Sequence, residues 1–82
     1  MDNLNTNIRR FIINKFPLAR KRQIRDSDAL LETGMLDSQG VLDVVSFIEQ
    51  EYSINISDED LVADNFQSID RIAIFVQSKA KA

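Results

Sequence analysis

Residues 37–52 read DSQGVLDVVSFIEQEY and form the most regular helical pattern in the chain. Apolar side chains recur there at intervals of three and four residues, which places them along one side of an α-helix. Asp37 or Ser38 is the natural N-cap, because a short polar side chain accepts a hydrogen bond from an amide of the first turn. The pattern predicts a helix that starts at this pair and buries Val41, Val44, Val45, Ile48 and Tyr52.

A second stripe of this kind lies near the amino terminus and consists of Leu4, Ile8, Phe11, Ile12 and Phe16. Asn3 or Asn5 is placed to cap the start of this helix. Pro17 is predicted to end it, because the residue before a proline is disfavoured in helical geometry. Residues 17 to about 36 show no sustained period and are predicted to form a long connection, of a length that is often functional.

Two further helices are predicted in the last third of the chain. Ser57 is followed by the acids Asp58-Glu59-Asp60, which is typical of a capped first turn and predicts a short helix. Ser68 caps a last helix, with Asp70 near its positive end and Lys79 near its negative end, as the helix dipole favours. The apolar stripe of this last helix is Ile69, Ile72, Ala73 and Val76.

Length and composition limit the functions that the chain can have. Its 82 residues, 44% of them hydrophobic, leave room for one core. Residues 1–82 are therefore predicted to form a single all-α domain, a four-helix bundle with a short third helix and a long loop between helices 1 and 2. Histidine, cysteine and tryptophan are absent, which excludes a histidine base, a cysteine nucleophile, disulfides and His/Cys metal sites. A small module is favoured over a self-contained enzyme.

The net charge of -3 conceals a division along the chain. Residues 1–25 carry seven basic side chains and one acidic side chain, whereas residues 26–70 carry twelve acidic side chains and no basic one. Residues 71–82 add three basic side chains. Such a field attracts basic partners and repels nucleic acid from the acidic part.

Residues 34–40, GMLDSQG, lie where the long connection meets the acidic helix. They place the Ser38 hydroxyl at a helix N-terminus, where unpaired amides and the positive end of the dipole favour an anion such as a phosphodiester. Gly34 permits a tight turn of the backbone. An Asp-Ser pair before an apolar-periodic run is more often a simple helix cap, so these residues alone leave both interpretations open.

Several motifs occur in one order along the chain: Gly34, Leu36-Asp37-Ser38, the acidic helix, INISDEDL at 54–61 and NFQSI at 65–69. Together they resemble the acyl carrier proteins over essentially the whole chain. The resemblance implies that a phosphopantetheinyl transferase attaches 4'-phosphopantetheine to Ser38 through a phosphodiester, which would make the chain a phosphoprotein. Asp37 matches the aspartate that helps the transferase engage the site and its metal. The arm ends in a thiol, so a chain without cysteine would still carry acyl groups as thioesters.

The resemblance also implies a docking surface for partner enzymes that carry basic patches. Its acidic positions are matched by Asp43, Glu49, Glu51, Asp58, Glu59 and Asp60. Leu42 and Phe47 lie away from the main stripe of their helix, and we expect them to form a second apolar patch that is partly exposed or contacts a neighbouring helix. The positions at which the family buries its core or, in some members, an acyl chain are matched by Ile48, Ile56, Leu61, Phe66 and Val76.

Two positions depart from the family pattern. Gln39 stands where many members have leucine, and Gly40 stands where an acid is common. A glycine in the first turn costs a helix about 0.5–1 kcal/mol relative to alanine, so either the arm or a partner approaches this backbone closely or the glycine is merely tolerated. A glycine two residues after the serine also occurs in D-alanyl carriers and in standalone carriers served by adenylate-forming ligases, which argues against a housekeeping fatty-acid role.

The expected function is that of a carrier, not an enzyme. It would tether acyl or aminoacyl groups at Ser38 and present them to acyl-loading ligases or synthases of fatty-acid, polyketide or related biosynthesis. The alternative is an acidic helical interaction module that is never modified, in which Ser38 is only an N-cap.

Other functions are disfavoured by the residues themselves. Residues 58–60 lack the spacing and the glycine of a calcium loop, and a chain this short offers no obvious cleft for glycoside hydrolysis. The basic cluster Arg20-Lys21-Arg22 with Arg25 has no aromatic stacking platform, so we do not expect it to bind nucleic acid. We expect these basic side chains to pair with the acidic block instead. The chain starts without signal-peptide features, and its longest apolar run, Ile72 to Val76, is too short to span a membrane. We therefore expect a cytoplasmic monomer.

Overall fold

The computed structural model describes residues 4–81, which form the α-helices α1 (Leu4–Lys15), α2 (Pro17–Arg22), α3 (Ser38–Tyr52) and α4 (Ile69–Lys81). Two short 3-10 turns, Asp58–Asp60 and Ala63–Phe66, lie between α3 and α4. This part of the chain contains no strand. The predicted all-α class with four helices is confirmed, although the second and third elements differ from the prediction.

The first difference is α2, which lies inside the predicted connection. α1 ends at Lys15, and Phe16 is extended with a φ of -118°, as a residue before proline should be. Pro17 then starts a new helix, because its fixed φ suits the first helical position and its missing N–H is not needed there. The prediction that the connection starts at residue 17 is therefore wrong, since Pro17 both ends one helix and begins another.

The second difference concerns the predicted short third helix, which is present as the single 3-10 turn Asp58–Asp60. Ser57 does cap it: the Asp60 Oδ2 atom accepts hydrogen bonds from the Ser57 backbone N at 3.1 Å and from its Oγ at 3.2 Å. The next residues, Leu61 and Val62, are exposed rather than buried. No apolar stripe forms there to stabilise an α-helix by packing, so the helix does not extend beyond its capped turn.

The core confirms the predicted stripes. α1 packs against α2, α3 and α4, and α4 also packs against the Ala63–Phe66 turn. The stripe of α4 is buried in full, and those of α1 and α3 are buried at their centres and half-buried at their ends. The fully buried side chains at this centre are Ile8, Ile12, Val44, Ile48, Phe66, Ile69, Ile72 and Val76.

The connection between α2 and α3 also contributes to the core. Four of its apolar side chains are buried without any helical period, namely Ile24, Leu30, Met35 and Leu36. The Leu30 backbone N donates to the Gln67 carbonyl oxygen at 2.7 Å, which fixes the loop beside the start of α4. The long loop is therefore a packed part of the fold.

Polar contacts join the loop to both terminal helices. The Asp26 carboxylate accepts from Asn5 Nδ2 at 3.0 Å and pairs with Arg9 Nη2 at 3.0 Å. Asn5 Nδ2 also donates to Asp70 Oδ1 at 2.8 Å, so Asn5 links α1 to α4 and does not cap α1. Asn3, the other candidate cap, lies outside the described residues. Within residues 4–81, no helix has both the length and the apolarity needed to cross a lipid bilayer.

Candidate functional site

Ser38 is the first residue of α3, and Asp37 is the N-cap of this helix. The Asp37 Oδ1 atom accepts from the Gly40 backbone N at 2.8 Å, and the Asp37 carbonyl oxygen accepts from Val41 N at 2.9 Å. Of the two caps that the sequence allowed, the structure uses the aspartate. The Ser38 side chain is exposed, and its Oγ makes no hydrogen bond to any described residue. A serine hydroxyl is thus presented to solvent at the start of the acidic helix.

Gly40 has a packing role in the first turn of α3. It is buried, and a Cβ atom built on it would lie 3.3 Å from Leu36 Cδ2 and 3.3 Å from Phe16 Cε1. Both contacts are tighter than a side-chain carbon normally tolerates. The close approach at this glycine is therefore made by two side chains of the same chain, Phe16 from between α1 and α2 and Leu36 from the end of the loop that precedes α3.

Gly34 shapes the turn that leads into the site. Its φ of +78° lies in the left-handed region that favours glycine, and its N–H donates to the Leu31 carbonyl oxygen at 3.2 Å. The turn is followed directly by the buried Met35 and Leu36. These two anchors set where α3 begins, and so they set the position of Ser38.

An apolar groove of about 290 Å³ opens beside Ser38. Phe66, which is 1% exposed, is buried beneath it. Leu42, Leu61 and Val62 line it and are among the few large apolar side chains in the described residues that remain exposed. The remaining lining residues are Leu31, Val41 and Ala63. The groove therefore offers an apolar surface next to the serine hydroxyl.

Four of the six predicted docking acids have side chains that the fold leaves accessible. Glu51, Asp58 and Glu59 are exposed. Asp43 is half-buried and its Oδ1 accepts from Gln39 Nε2 at 3.3 Å, one helical turn back. Asp43 and Glu51 lie on the side of α3 that carries Phe47 and faces Phe11 of α1. Asp58 and Glu59 lie on the turn that precedes the groove residues 61–63.

The other two acids make contacts within the fold. Glu49 Oε2 accepts from the Ile56 backbone N at 2.9 Å and so holds the chain that leaves α3. Asp60 Oδ2 lies 2.8 Å from Lys79 Nζ of α4. The hydrogen bond from Lys79, together with that from the Ser57 backbone, lowers the pKa of Asp60 below its ordinary value.

The two apolar docking candidates have different surroundings. The Phe47 ring is stacked on Phe11 of α1, with ring centroids 4.3 Å apart and an angle of 11° between the rings. The Tyr52 ring meets the edge of Phe47 at 6.4 Å. Phe47 thus contacts a neighbouring helix, whereas Leu42 remains 48% exposed at the groove.

The family-matched apolar positions divide in the same way. Ile48, Phe66 and Val76 are buried, as the resemblance implies for core positions. Ile56 is half-buried, and Leu61 is 36% exposed on the wall of the groove. Sequence reasoning did not find the groove, because its lining comes from three separate segments. The adjacent apolar pair at 61–62, directly after the acids, was the available signal.

The predicted ion pairing of the basic cluster is not what the structure shows. In the described part of the chain, the ion pairs are Arg9 with Asp26 and Lys79 with Asp60. The side chains of Arg20, Lys21 and Arg22 on α2 are exposed to solvent. In the described residues, the cations that pair with the acidic block are Arg9 and Lys79, which lie outside the cluster.

Comparison with known proteins adds one relative. The chain is 31% identical over 74 residues to a protein named acyl carrier protein homolog from Mycoplasmopsis pulmonis (strain UAB CTIP). The matched region covers 90% of this chain and 97% of that protein. No family model matches the chain.

Proposed function

The chain belongs to the acyl carrier protein family, and from this membership we propose that Ser38 carries 4'-phosphopantetheine and that the chain tethers acyl groups as thioesters. The chain is then a substrate for other enzymes and not itself an enzyme. We propose that it acts as a monomer in the cytoplasm, within fatty-acid, polyketide or related biosynthesis.

The observation that carries this proposal is the placement of Ser38. Its hydroxyl is exposed and unengaged by the described residues, so a transferase can reach the nucleophilic oxygen. Asp37 satisfies the Gly40 amide, while the amides of Ser38 and Gln39 in the first turn have no acceptor within the helix and can face a phosphodiester. The bound arm would supply a thiol, a group that this chain lacks.

The groove supports an acyl cargo over a polar aminoacyl one. Its lining is apolar except for Ser38. The acyl group is bonded to the thiol at the far end of the arm, so the arm has to fold back toward the protein for an alkyl chain to enter the groove. An alkyl chain buried there would lose contact with water, which stabilises it by about 0.8 kcal/mol for each CH₂ group. Gly40 gives no support to a D-alanyl cargo, because its contacts with Phe16 and Leu36 explain the glycine without reference to any cargo.

The alternative of an unmodified interaction module has less support. It assigns Ser38 the role of a helix N-cap, and the structure assigns that role to Asp37. Ser38 then has no structural task among the described contacts. An exposed serine beside an apolar groove fits modification better than capping.

Mass spectrometry tests the proposal directly. The purified chain is incubated with coenzyme A and a broad-specificity phosphopantetheinyl transferase, and we expect the mass to rise by one phosphopantetheine. Ser38→Ala should stay unmodified, while Ser46→Ala, which removes an exposed serine about two helical turns away on α3, should be modified normally. An unchanged wild-type mass, with a control carrier modified in the same tube, would overturn the carrier function. Modification of Ser38→Ala would overturn the site.

We further propose that the accessible acids form the docking surface for the transferase and for loading ligases or synthases with basic patches. Asp43 and Glu51 on α3, with Asp58 and Glu59 beyond it, are the residues that carry this role. Asp43→Lys with Glu51→Lys should slow modification at low salt and leave the helical content unchanged. Glu32→Lys, at an exposed acid of the α2–α3 loop, is the charge reversal of the same sign outside this surface. Equal rates for all three proteins would show that the acids do not dock the partner.

A further inference from the structure

The wall of the groove opposite α3 is a short segment with little packing of its own. It consists of Leu61 and Val62, which join the two 3-10 turns, and of Ala63, which begins the second turn. Leu61 is 36% exposed and Val62 is 49% exposed. A segment with so little buried area is held in place chiefly by polar contacts, and segments of this kind open at low free-energy cost.

Those polar contacts converge on Asp60. Its carboxylate accepts from Ser57 and pairs with Lys79, while its carbonyl oxygen accepts from Asn65 Nδ2 at 2.8 Å. The Val62 backbone N also donates to the Asp60 carbonyl oxygen at 2.9 Å. Asp60 therefore joins both 3-10 turns and the wall between them into one unit.

Lys79 connects this unit to the rest of the fold, because its ammonium group pairs with the Asp60 carboxylate. Lys79 lies in the last turns of α4, whose stripe is anchored in the core, so its ammonium group is held by a rigid element. The Lys79 and Asp60 side chains are 30% and 23% exposed, and their charged atoms are 2.8 Å apart. Losing the ammonium group would remove the ion pair between the Asp60 carboxylate and α4, while the Ala63–Phe66 turn would still pack against α4.

We propose that Lys79 is a positioning residue that holds the groove wall, residues 61–63, against the core and so keeps a chain carried on Ser38 covered. The part of this inference that concerns the carried chain rests on the proposed function. The part that concerns the contacts of Lys79 does not. It assigns a role to a residue that is distant in sequence from the attachment serine and the acidic docking surface.

Hydrogen exchange of the unmodified protein tests the contact. The amides of Leu61, Val62 and Asn65 donate to the carbonyl oxygens of Asp58, Asp60 and Val62, all within residues 58–66, so their exchange reports unfolding of the wall and its two turns. In Lys79→Met we expect these amides to exchange about two- to fivefold faster, with core amides of α1 and α3 unchanged. Lys79→Arg should restore slow exchange, and Lys21→Met on exposed α2 should have no effect. High salt should narrow the difference between wild type and Lys79→Met.

Unchanged exchange in Lys79→Met, or a uniform rise at every amide, would overturn the inference, because a general loss of stability is not local positioning. Failure of Lys79→Arg to restore protection would overturn the role of the charge. None of these outcomes depends on whether Ser38 can be modified.

A second measurement tests the consequence for the cargo. Wild type and Lys79→Met are loaded with an octanoyl-phosphopantetheine arm from octanoyl-coenzyme A, and the thioester is cleaved with hydroxylamine, which releases the free thiol. Cleavage should be faster in Lys79→Met by the same factor as the exchange of the wall amides, because one opening exposes both. Faster exchange with equal cleavage would overturn the effect on the cargo. A wild-type chain that cannot be loaded would instead refute the proposed function, and the exchange result would still decide the role of Lys79.

Discussion

The contact between Glu49 and Ile56 makes a prediction that separates a structural role from a docking role. Glu49 matches an acidic docking position of the family, yet its Oε2 accepts the Ile56 backbone N at 2.9 Å in a partly buried place. Ile56 is half-buried and packs against the core, so its amide has limited access to water as a replacement. Substituting Glu49 should therefore lower stability before it affects any partner.

The structure sets the size of the effect. Glu49→Ala removes a hydrogen bond to a charged acceptor and leaves the Ile56 amide without a partner, which costs about 1–2 kcal/mol at a partly solvated position. Glu49→Gln keeps an acceptor but loses its charge and should cost about half as much. Glu51→Ala makes the same substitution two residues further on, at an exposed side chain, and should change the free energy of unfolding by less than about 0.5 kcal/mol.

Urea denaturation followed by circular dichroism measures all three variants. We expect the urea concentration at the unfolding midpoint to be highest for wild type, lower for Glu49→Gln and lowest for Glu49→Ala. The dependence of the free energy of unfolding on urea concentration should be equal in all of them. The melting temperature of Glu49→Ala should fall by about 5–15 °C, and the Ile56 amide should lose protection from hydrogen exchange. Glu49→Ala as stable as Glu51→Ala would refute the reasoning and return Glu49 to the docking surface. A charge reversal at Glu49 would change the stability of the fold as well as any docking, so it does not test docking alone.

Three other predictions follow from single contacts. A double-mutant cycle of Phe11→Ala and Phe47→Ala in urea should give a coupling energy of about 0.5–1.5 kcal/mol for the stacked rings, whereas simple additivity would mean that the rings do not meet in solution. Ser53 has a φ of 55° at the C-cap of α3, so Ser53→Gly should raise the free energy of unfolding by about 0.5–1 kcal/mol, and a lower value would contradict this cap. The pKa of Asp60 is lower in the folded protein than its ordinary value of 3.8. The ionised carboxylate therefore stabilises the fold at any pH above 3.8, and this stabilisation is lost as the pH falls through the pKa of the folded protein. The stability difference between wild type and Asp60→Asn should stay constant from about pH 7 to 5 and shrink only below about pH 4; a decline already near pH 6 would rule this out.

The helices with long apolar stripes were predictable because each stripe specifies its own buried side. α1, α3 and α4 have such stripes. Local chemistry predicted the cap of α3 as Asp37 or Ser38 and the cap of α4 as Ser68, whose Oγ accepts from Arg71 N at 3.2 Å. α2 was missed because six residues are too few to show a period. The helix at 58–60 was overextended because its acids signal a start, whereas its length depends on packing that the fold does not provide.

The candidate site was predictable where it depends on neighbours in sequence. Ser38 at a helix N-terminus, with Asp37 before it, needs only local geometry. The division among the acids was not predictable, because the same residue type serves as a surface charge at Glu51 and as a backbone clamp at Glu49. That difference arises from where the chain returns after α3.

By itself, the sequence determined the three helices with long apolar stripes, where the acidic charge lies, and which serine starts the acidic helix. Each of these follows from residues within a turn or two of one another, so the local chemistry is sufficient. Only the tertiary structure decided that Gly40 makes room for Phe16 and Leu36, that Leu61 and Val62 line a groove beside Ser38, and that Lys79 reaches Asp60. Apart from Leu36, which lies four residues before Gly40, these contacts join segments about 20 residues or more apart. They form because packing α1, α3, α4 and the loop into one core brings those segments together.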